Sequence, residues 1–469
     1  MKKTFTILAL STFSIGCVFA QRSVNLPATQ YIQGNPVKTE LKKEETPVVQ
    51  RKCGTPSAVN ESFETWIDNE IKKREQFANA KTAAVVYTIP IIFHIIHTGQ
   101  AVGSGRNLSL AQINSQITRL NEDYRKLNAD RTTYLTQPAL SALHADCEIS
   151  FCAAKVSPTG AVLTEPGVER ILASSKGWTS PPYSGMSPSY LEGTVKPTSI
   201  WDPTKYFNVW VAEFNDGVLG YAQFPVAPSS TTGTIGDLSS MPNSATTDGV
   251  VLDYKFTGLS GSAGGPYNLG RTLTHEAGHW LGLYHIWGDD GSSCSGTDRV
   301  TDTPNQAGEN YTCPTTAGSV KTDACTASSP GVLYQNYMDY SDDKCMVMFT
   351  TGQKARLQAV MANCVRRKTL GTSTACTAPS SIFEYSSIVD LSIFPNPTNG
   401  EINVTVDLLN NEDFTVSVTN TLGQIVKEVK QLHSNGATVK LDLIGNANGI
   451  YFVTVKTKTG SRTKRVVLQ

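Results

Sequence analysis

The stretch Thr274–Gly288 reads THEAGHWLGLYHIWG, and its histidine spacing decides how the rest of the chain is read. On a helix, residues four apart lie one turn apart on the same face. His275 and His279 therefore project two imidazoles to one side and can grip one zinc ion at about 2.0–2.1 Å. Glu276 stands beside that pair, where its carboxylate can take a proton from an attacking water and pass it to a leaving amine. Gly282 can end the helix in the left-handed conformation that glycine enters without strain, and the turned chain can bring back His285 as third ligand. Three neutral ligands leave a fourth position open, as a catalytic zinc requires. A site taking a distant glutamate as third ligand would not need His285, and a chance pattern is improbable with seven histidines in 469 residues.

Upstream, YTIPIIFHIIHTG (87–99) reads as a buried strand. The run SLAQINSQITRLNEDYRKLN that follows places Ile113, Ile117, Leu120 and Tyr124 on one helical face behind a Ser109 cap. Further strands fit EISFCAA, YFNVWVAEF, GYAQFP and GVVLDY, separated by Gly/Ser/Pro-rich loops, so the fold class is α/β. His94 and His97, three apart in a strand, point to opposite faces and read as a core and a surface histidine, not as ligands. Lys+Arg and Asp+Glu number 40 each, which leaves no charge excess to suggest nucleic acid or an anionic membrane as partner.

Residues 1–20 have a Lys2/Lys3 start, an apolar middle and small residues before Ala20, as a secretory signal peptide does; no run is long enough to span a bilayer. Export places the cysteines where disulfides persist, and loss of Cys17 leaves nine of the ten. An odd count leaves one thiol over, and Cys53, in RKCGTPS, lies farthest from the rest. Residues 21–80 are polar and read as a loosely folded leader, although ESFETWIDNEIKKREQFANA has helical character. The loop 286–335 holds Cys294, Cys313 and Cys325 and needs staples or ions to keep one shape. In SGTDRVTDTPNQ, the side chains of Asp298, Asp302 and Thr303 and the Val300 carbonyl offer hard oxygens suited to calcium; a solvated acidic loop is the alternative.

The wording HEAGHWLGLYH, with NYMDYSDDKC and IPIIFHIIH, resembles the bacterial branch of the pappalysin family of metzincin metallopeptidases over about residues 85–365. The resemblance implies a twisted sheet with the active-site helix over an irregular, disulfide-stapled lower subdomain. It makes Met338 the residue of a methionine turn beneath the metal and Tyr340 a zinc neighbour that swings to hold the oxyanion. It pairs Cys294 with Cys325 and Cys313 with Cys345, and it also implies calcium. Cys147 and Cys152, on opposite faces of one strand, would then reach Cys364 and Cys376. Similar proteins cut before basic residues using acidic groups after the methionine turn, here Asp342 and Asp343, although Lys344 beside them would repel an incoming arginine. RKCGTP resembles the cysteine switch of metzincin proenzymes. Cys53 would ligate zinc in the latent form, ionised with help from Arg51 and Lys52, and Gly54 would let the backbone turn through the cleft. Cleavage between Lys73 and Arg74, in an exposed segment before the first strand, would release the leader.

After Thr369, TSTACTAPSS reads as a linker, and the period then changes to the alternation of a small β-sandwich. This tail resembles the sorting domain of type nine secretion cargo. It shares the Pro395-Asn396-Pro397 opening, LGQ at 422–424, Gly449-Ile450-Tyr451 and the basic Lys464-Arg465 end; a carbohydrate-binding module is the structural alternative. The expected organisation is a signal peptide (1–20), a pro-segment (21–80), a metallopeptidase domain (81–369), a linker (370–389) and a sorting domain (390–469). The function expected is a secreted or surface-attached zinc endopeptidase, acting on protein or peptide substrates and exported through a Gram-negative periplasm by the type nine machinery. A surface adhesin or binding module with a structural metal site is the contrary reading, and Glu276 argues against it, because a structural site needs no general base.

Overall fold

A computed structural model describes residues 50–56, 59–78, 86–228, 244–259, 265–377, 387–458 and 460–469. The signal peptide and the first part of the leader lie outside the described residues.

Strand β1 (Tyr87–His97) is the hub of the first sheet. Every residue from Ile89 to Ile96 is buried, as expected for a parallel strand covered on both faces. On one edge β1 pairs in parallel with β2 (Ile149–Ala153) and then β3 (Val168–Leu172); on the other it pairs in parallel with β4 (Phe207–Ala212). Parallel β6 (Val250–Asp253) and antiparallel β5 (Gly220–Ala222) complete the order β2-β1-β4-β6-β5. The sequence alternation anticipates every strand here except β3, whose Glu169 and Arg170 hide its apolar residues.

Helix α1 (Glu61–Ala78) belongs to the leader, and α2 (Leu110–Tyr124) covers one sheet face. Ser109 caps α2 by accepting from Gln112 N–H, and the expected face, Ile113, Ile117, Leu120 and Tyr124, is buried. Short helices α3 (Arg131–Tyr134) and α4 (Pro138–Leu143) precede β2; α5 (Arg271–Trp280) and α6 (Thr351–Asn363) pack into the same core as α2. All ten residues of α5 are buried although six of them are polar. That is tolerable because partners wait for them: Thr274 Oγ1 donates to Asp123 at 2.8 Å, Arg271 donates to the Asp343 carbonyl at 2.5 Å, and Trp280 Nε1 donates to Asp248 at 2.8 Å. His94 is buried with Nδ1 2.6 Å from Glu169 and Nε2 2.9 Å from Asn208, a core histidine, and His97 is half-buried at the strand end.

Three expectations need correction. The leader is not loosely folded throughout: Phe63 and Ile67 of α1 are 1% and 0% exposed, buried in the main core. The linker does not begin at 370, since Leu370 is buried in that core and Cys376 is bonded to Cys152, which ties the chain down as far as the end of the described stretch at Thr377. Cys294–Cys325 and Cys313–Cys345 form as expected, but Cys147 and Cys364 are both unbonded. Cys147 packs under Tyr124 before β2, while Cys364 caps the far end of α6, so thiol parity misleads.

The tail is a five-stranded antiparallel sheet built from β7 (Ile388–Phe394), β8 (Glu401–Thr419), β9 (Ile425–Asp442), β10 (Gly449–Lys456) and β11 (Ser461–Leu468). The sheet runs β11-β10-β8-β7, with β9 on β8, and has its own core of alternating residues such as Val404, Val406, Val416 and Val418.

Candidate metal centre and cleft

The cleft is built where α5 meets the edge strand β5. His279 Nε2 lies 3.1 Å from His275 Nε2 and 3.1 Å from His285 Nε2. Each ring is turned by its other nitrogen. His275 Nδ1 is 2.8 Å from the Tyr337 carbonyl and His279 Nδ1 is 2.8 Å from the Leu283 carbonyl. A carbonyl only accepts, so both Nδ1 atoms carry the proton and both Nε2 lone pairs face inward. His285 Nδ1 meets the Asp289 carboxylate at 2.9 and 3.0 Å, and Trp287 stacks on the same ring at 4.4 Å.

Lone pairs facing one another at that range repel unless a cation lies between them. Tetrahedral zinc with nitrogens at about 2.0–2.1 Å would set them roughly 3.3 Å apart, so the donor set fits that ion. Burial first, then the neighbouring imidazoles, holds His275 and His279 well below the ordinary histidine range, so both stay neutral and available as ligands.

The turn that returns His285 is made as expected. Gly282 has φ +91°, and its N–H donates to His279 O at 2.8 Å. The methionine turn lies under the helix: a Cβ on Gly278 would run into the Met338 sulfur, and Ile286 N–H donates to Met338 O at 3.2 Å. Tyr340 Oη stands 3.3 Å from His285 Nε2.

Into this arrangement the leader inserts its own strand. Leu219 N–H donates to Lys52 O and Gly54 N–H to Gly220 O, each at 2.9 Å, so Cys53 runs parallel to the β5 edge. Cys53 Sγ joins the three histidines, with all four ligand atoms within 4.8 Å of one another. Cys53 N–H donates to Tyr340 Oη at 3.2 Å. Gly54 is required by close approach, since a Cβ there would meet the Gly185 carbonyl at 2.7 Å. Thr55 is a residue the sequence reading missed: its hydroxyl donates to Glu276 Oε2 at 3.1 Å and accepts from Ala222 N–H at 2.9 Å.

Burial raises the Glu276 carboxyl to about 7, against the lowering effect of hydrogen bonds from Cys53 and Thr55 and of the Arg51 charge. The same burial, together with the Glu276 charge, pushes the Cys53 thiol well above its usual range. Arg51 and Lys52 do not ionise it as expected. Arg51 is turned away into its own pocket and Lys52 is exposed, so only a bound metal would make the thiolate.

Arg51 Nη2 reaches Asp343 Oδ1 at 2.6 Å with both side chains buried, its guanidinium carbon 4.9 Å from the Tyr267 ring centre. Asp343 is held for this by Leu269 N–H, which donates to Oδ2 at 2.8 Å. Of the other two pocket candidates, Asp342 is half-buried and Lys344 is exposed, so the lysine does not oppose a cation at Asp343.

Among the calcium candidates, Asp298 Oδ1, Val300 O and Thr303 Oγ1 converge, with Thr303 Oγ1 2.7 Å from Asp298 and 2.8 Å from the Val300 carbonyl. Asp298 Oδ2 is buried with no hydrogen-bond partner, and burial raises that carboxyl to about 7. Asp302 is directed elsewhere: it accepts from Thr350 Oγ1 and Gly352 N–H, each at 2.7 Å, at the start of α6.

The pregnancy-associated plasma protein-A family profile matches residues 192–362, and a secretion system C-terminal sorting domain profile matches residues 392–469. An extracellular metalloprotease of Colletotrichum graminicola is 31% identical over 323 residues, covering 67% of this chain and 91% of that protein. Mature mirolysin of Tannerella forsythia, in complex with a cleaved peptide, is 40% identical and covers 63% of this chain and 99% of that one at a TM-score of 0.52. A promirolysin mutant from the same organism is 37% identical and covers 69% and 98% at 0.53.

Asp289→Asn tests how the third histidine is held. Loss of the carboxylate should weaken zinc binding by about 10–100-fold in chelator competition while leaving the far-ultraviolet spectrum unchanged. Unaltered zinc affinity would show that Trp287 stacking alone orients the ring.

Proposed function

The chain belongs to the pregnancy-associated plasma protein-A family of extracellular zinc metalloendopeptidases, and from that premise we propose a latent proenzyme with Glu276 as its general base and Cys53 as its plug. The observation that carries the reading is the Cys53 thiol standing as the fourth donor beside His275, His279 and His285.

Zinc held by those three imidazoles would act as a Lewis acid on the scissile carbonyl and make water a better nucleophile. The remaining steps belong to side chains. Glu276, whose carboxyl faces the cleft beside the three imidazoles, is suited both to accept a proton from the attacking water and to return it to the departing amine. Tyr340 Oη, released from the Cys53 N–H once the leader leaves, is placed to donate to the oxygen that gains charge. In the latent form Thr55 occupies Glu276 and Cys53 occupies the position water needs, so metal and base are blocked together. The greater share of this chain covered by promirolysin than by the mature form, 69% against 63%, supports a leader of the same kind. An adhesin with a structural metal site finds no support in a buried glutamate facing the cleft.

The leader also suggests the substrate. Arg51 lies on Asp343 with Lys344 out of the way, which favours peptides carrying arginine or lysine after the cut bond. Asp298, Val300 and Thr303 form the core of a structural calcium site, and Asp302 supports it indirectly by anchoring α6. The maturation cut moves from the expected position: Lys73 and Arg74 are exposed but lie inside α1, whose hydrogen-bonded backbone resists a protease, so we place the cut after the helix ends at Ala78 and before β1 begins at Tyr87. With the signal peptide and the sorting domain, the whole chain reads as cargo of the type nine machinery, exported through a Gram-negative periplasm.

Glu276→Ala should cost at least about 10³-fold in hydrolysis of a protein substrate, and 1,10-phenanthroline should abolish it; full hydrolysis by the alanine variant would remove Glu276 from its role. In a peptide-library digest, Asp343→Ala should flatten a preference for arginine or lysine after the cut, and a wild-type preference for acidic residues there would reverse the pocket assignment. Calcium chelation with EGTA should lower the melting temperature of the wild type, and an identical temperature with and without calcium would dismiss that site.

A further inference from the structure

The five leader residues that fill the cleft are a small part of what the leader touches. Helix α1 begins eight residues after Cys53, where Asn60 Oδ1 accepts from Phe63 N–H at 3.0 Å. It sends Phe63, Glu64 and Ile67 into the catalytic core with 1%, 3% and 0% exposure. Glu64 meets Arg356 of α6 with both oxygens, each at 2.7 Å, and Tyr284 Oη donates to Glu64 Oε1 at 2.9 Å. The Arg356 guanidinium lies 5.2 Å from the Tyr284 ring centre and 5.8 Å from that of Phe63, while its Nε donates to Gly282 O at 2.6 Å. Phe224 completes the wall, 6.4 Å from Phe63 and stacked 4.8 Å from Tyr284. At the two ends Glu61 pairs with Arg299 at 2.6 Å and Arg74 donates to Gln358 at 3.3 Å.

We propose that this groove of Phe224, Tyr284 and Arg356 is a second, metal-independent binding site for the leader helix, and that it keeps the leader bound and inhibitory after the chain is cut. The proposal rests on the latent proenzyme described above and extends it. A plug at the metal alone requires no buried carboxylate of the leader paired with an arginine of α6. A buried ion pair in which all three guanidinium nitrogens are hydrogen-bonded is costly to separate, because Arg356 would keep its charge in a site shaped to neutralise it. Residues 56–60 tether the cleft strand to the anchored helix, so Cys53 is presented to the metal at an effective concentration on the order of millimolar even when its own bond has opened. A cut between Ala78 and Tyr87 leaves every one of these contacts intact. Activation then needs two events, the cut and a later escape or destruction of α1.

The test uses the full proenzyme with a single engineered cut site at Ala80–Lys81, followed by size exclusion and an activity assay. The leader fragment should co-elute with the catalytic part, and activity should lag behind the cut. In Glu64→Ala the fragment should separate, and activity should track the cut. Because the variant chain could also fold poorly, synthetic leader peptides are added to the mature wild-type enzyme as a second measurement. Peptide 49–78 should inhibit at least 100-fold more tightly than peptide 49–60. Peptide 49–78 carrying Phe63→Ala and Glu64→Ala should fall to the level of the shorter one, and 49–78 with Cys53→Ala should still bind by fluorescence anisotropy. Equal inhibition by 49–78 and 49–60 would overturn the second site while leaving Cys53 latency standing. No inhibition by either, with a Cys53→Ala proenzyme as silent as wild type, would overturn both.

Discussion

Three neutral imidazoles must aim their lone pairs at one point, and most of the structure around the cleft follows from holding them there. Each ring has two nitrogens, and the inward one is a ligand only if the outward one has a fixed acceptor. The acceptors come from three different places: the Tyr337 carbonyl of the methionine turn, the Leu283 carbonyl just past the glycine turn, and the Asp289 carboxylate. The helix can supply two rings at correct spacing by geometry alone, but their rotation is set from outside it. This explains why α5 is wholly buried despite its polar composition. It has to be enclosed on all sides by the groups that orient it.

The edge strand β5 makes the cleft usable and also makes it blockable. An unpaired strand edge is a template for any extended chain, and the leader takes that edge through Leu219 and Gly220. Gly220 brings the edge close to the base, since a Cβ there would meet Glu276 Cγ at 2.9 Å. One short peptide can therefore reach the metal, the base and the Asp343 pocket together. The proposed inhibition rests on this: the leader satisfies, at a single edge, the groups that the proposed mechanism assigns to a substrate.

What was legible from sequence divides along contact range. The histidines, Glu276, the Gly282 turn, the Ser109 cap and the buried run of β1 are set by spacing within a few residues, and all stand where the spacing puts them. Strand β3 was missed because two charges interrupt five residues. The leader helix was seen as a helix but not as a docked one. Its apolar face is short, Phe63 and Ile67 with the half-buried Trp66 and Ile71, and its decisive partner, Arg356, lies 292 residues away from Glu64. Arg51 and Asp343 are likewise 292 residues apart, so no local pattern announces that the arginine serves the pocket and not the thiol. Cysteine parity failed for a related reason: burial alone can keep a thiol unpaired, as Cys147 and Cys364 show.

The long polar loop after His285 is tied to the methionine turn by one buried carboxylate. Asp339 accepts from Asn310 N–H and Asn310 Nδ2 at 2.7 Å, from Gln306 Nε2 at 2.9 Å and from Tyr340 N–H at 2.7 Å. It thus joins the loop to the two residues on either side of it, Met338 beneath the metal ligands and Tyr340 beside them. A loop with so little apolar content could not bury that carboxylate by packing. The disulfides Cys294–Cys325 and Cys313–Cys345 bracket the Gln306–Asn310 stretch and reduce the entropy lost in bringing it to Asp339. The staples are therefore part of how Tyr340 is placed: they order the loop, the loop satisfies Asp339, and Asp339 fixes the backbone from which the tyrosine reaches the metal centre.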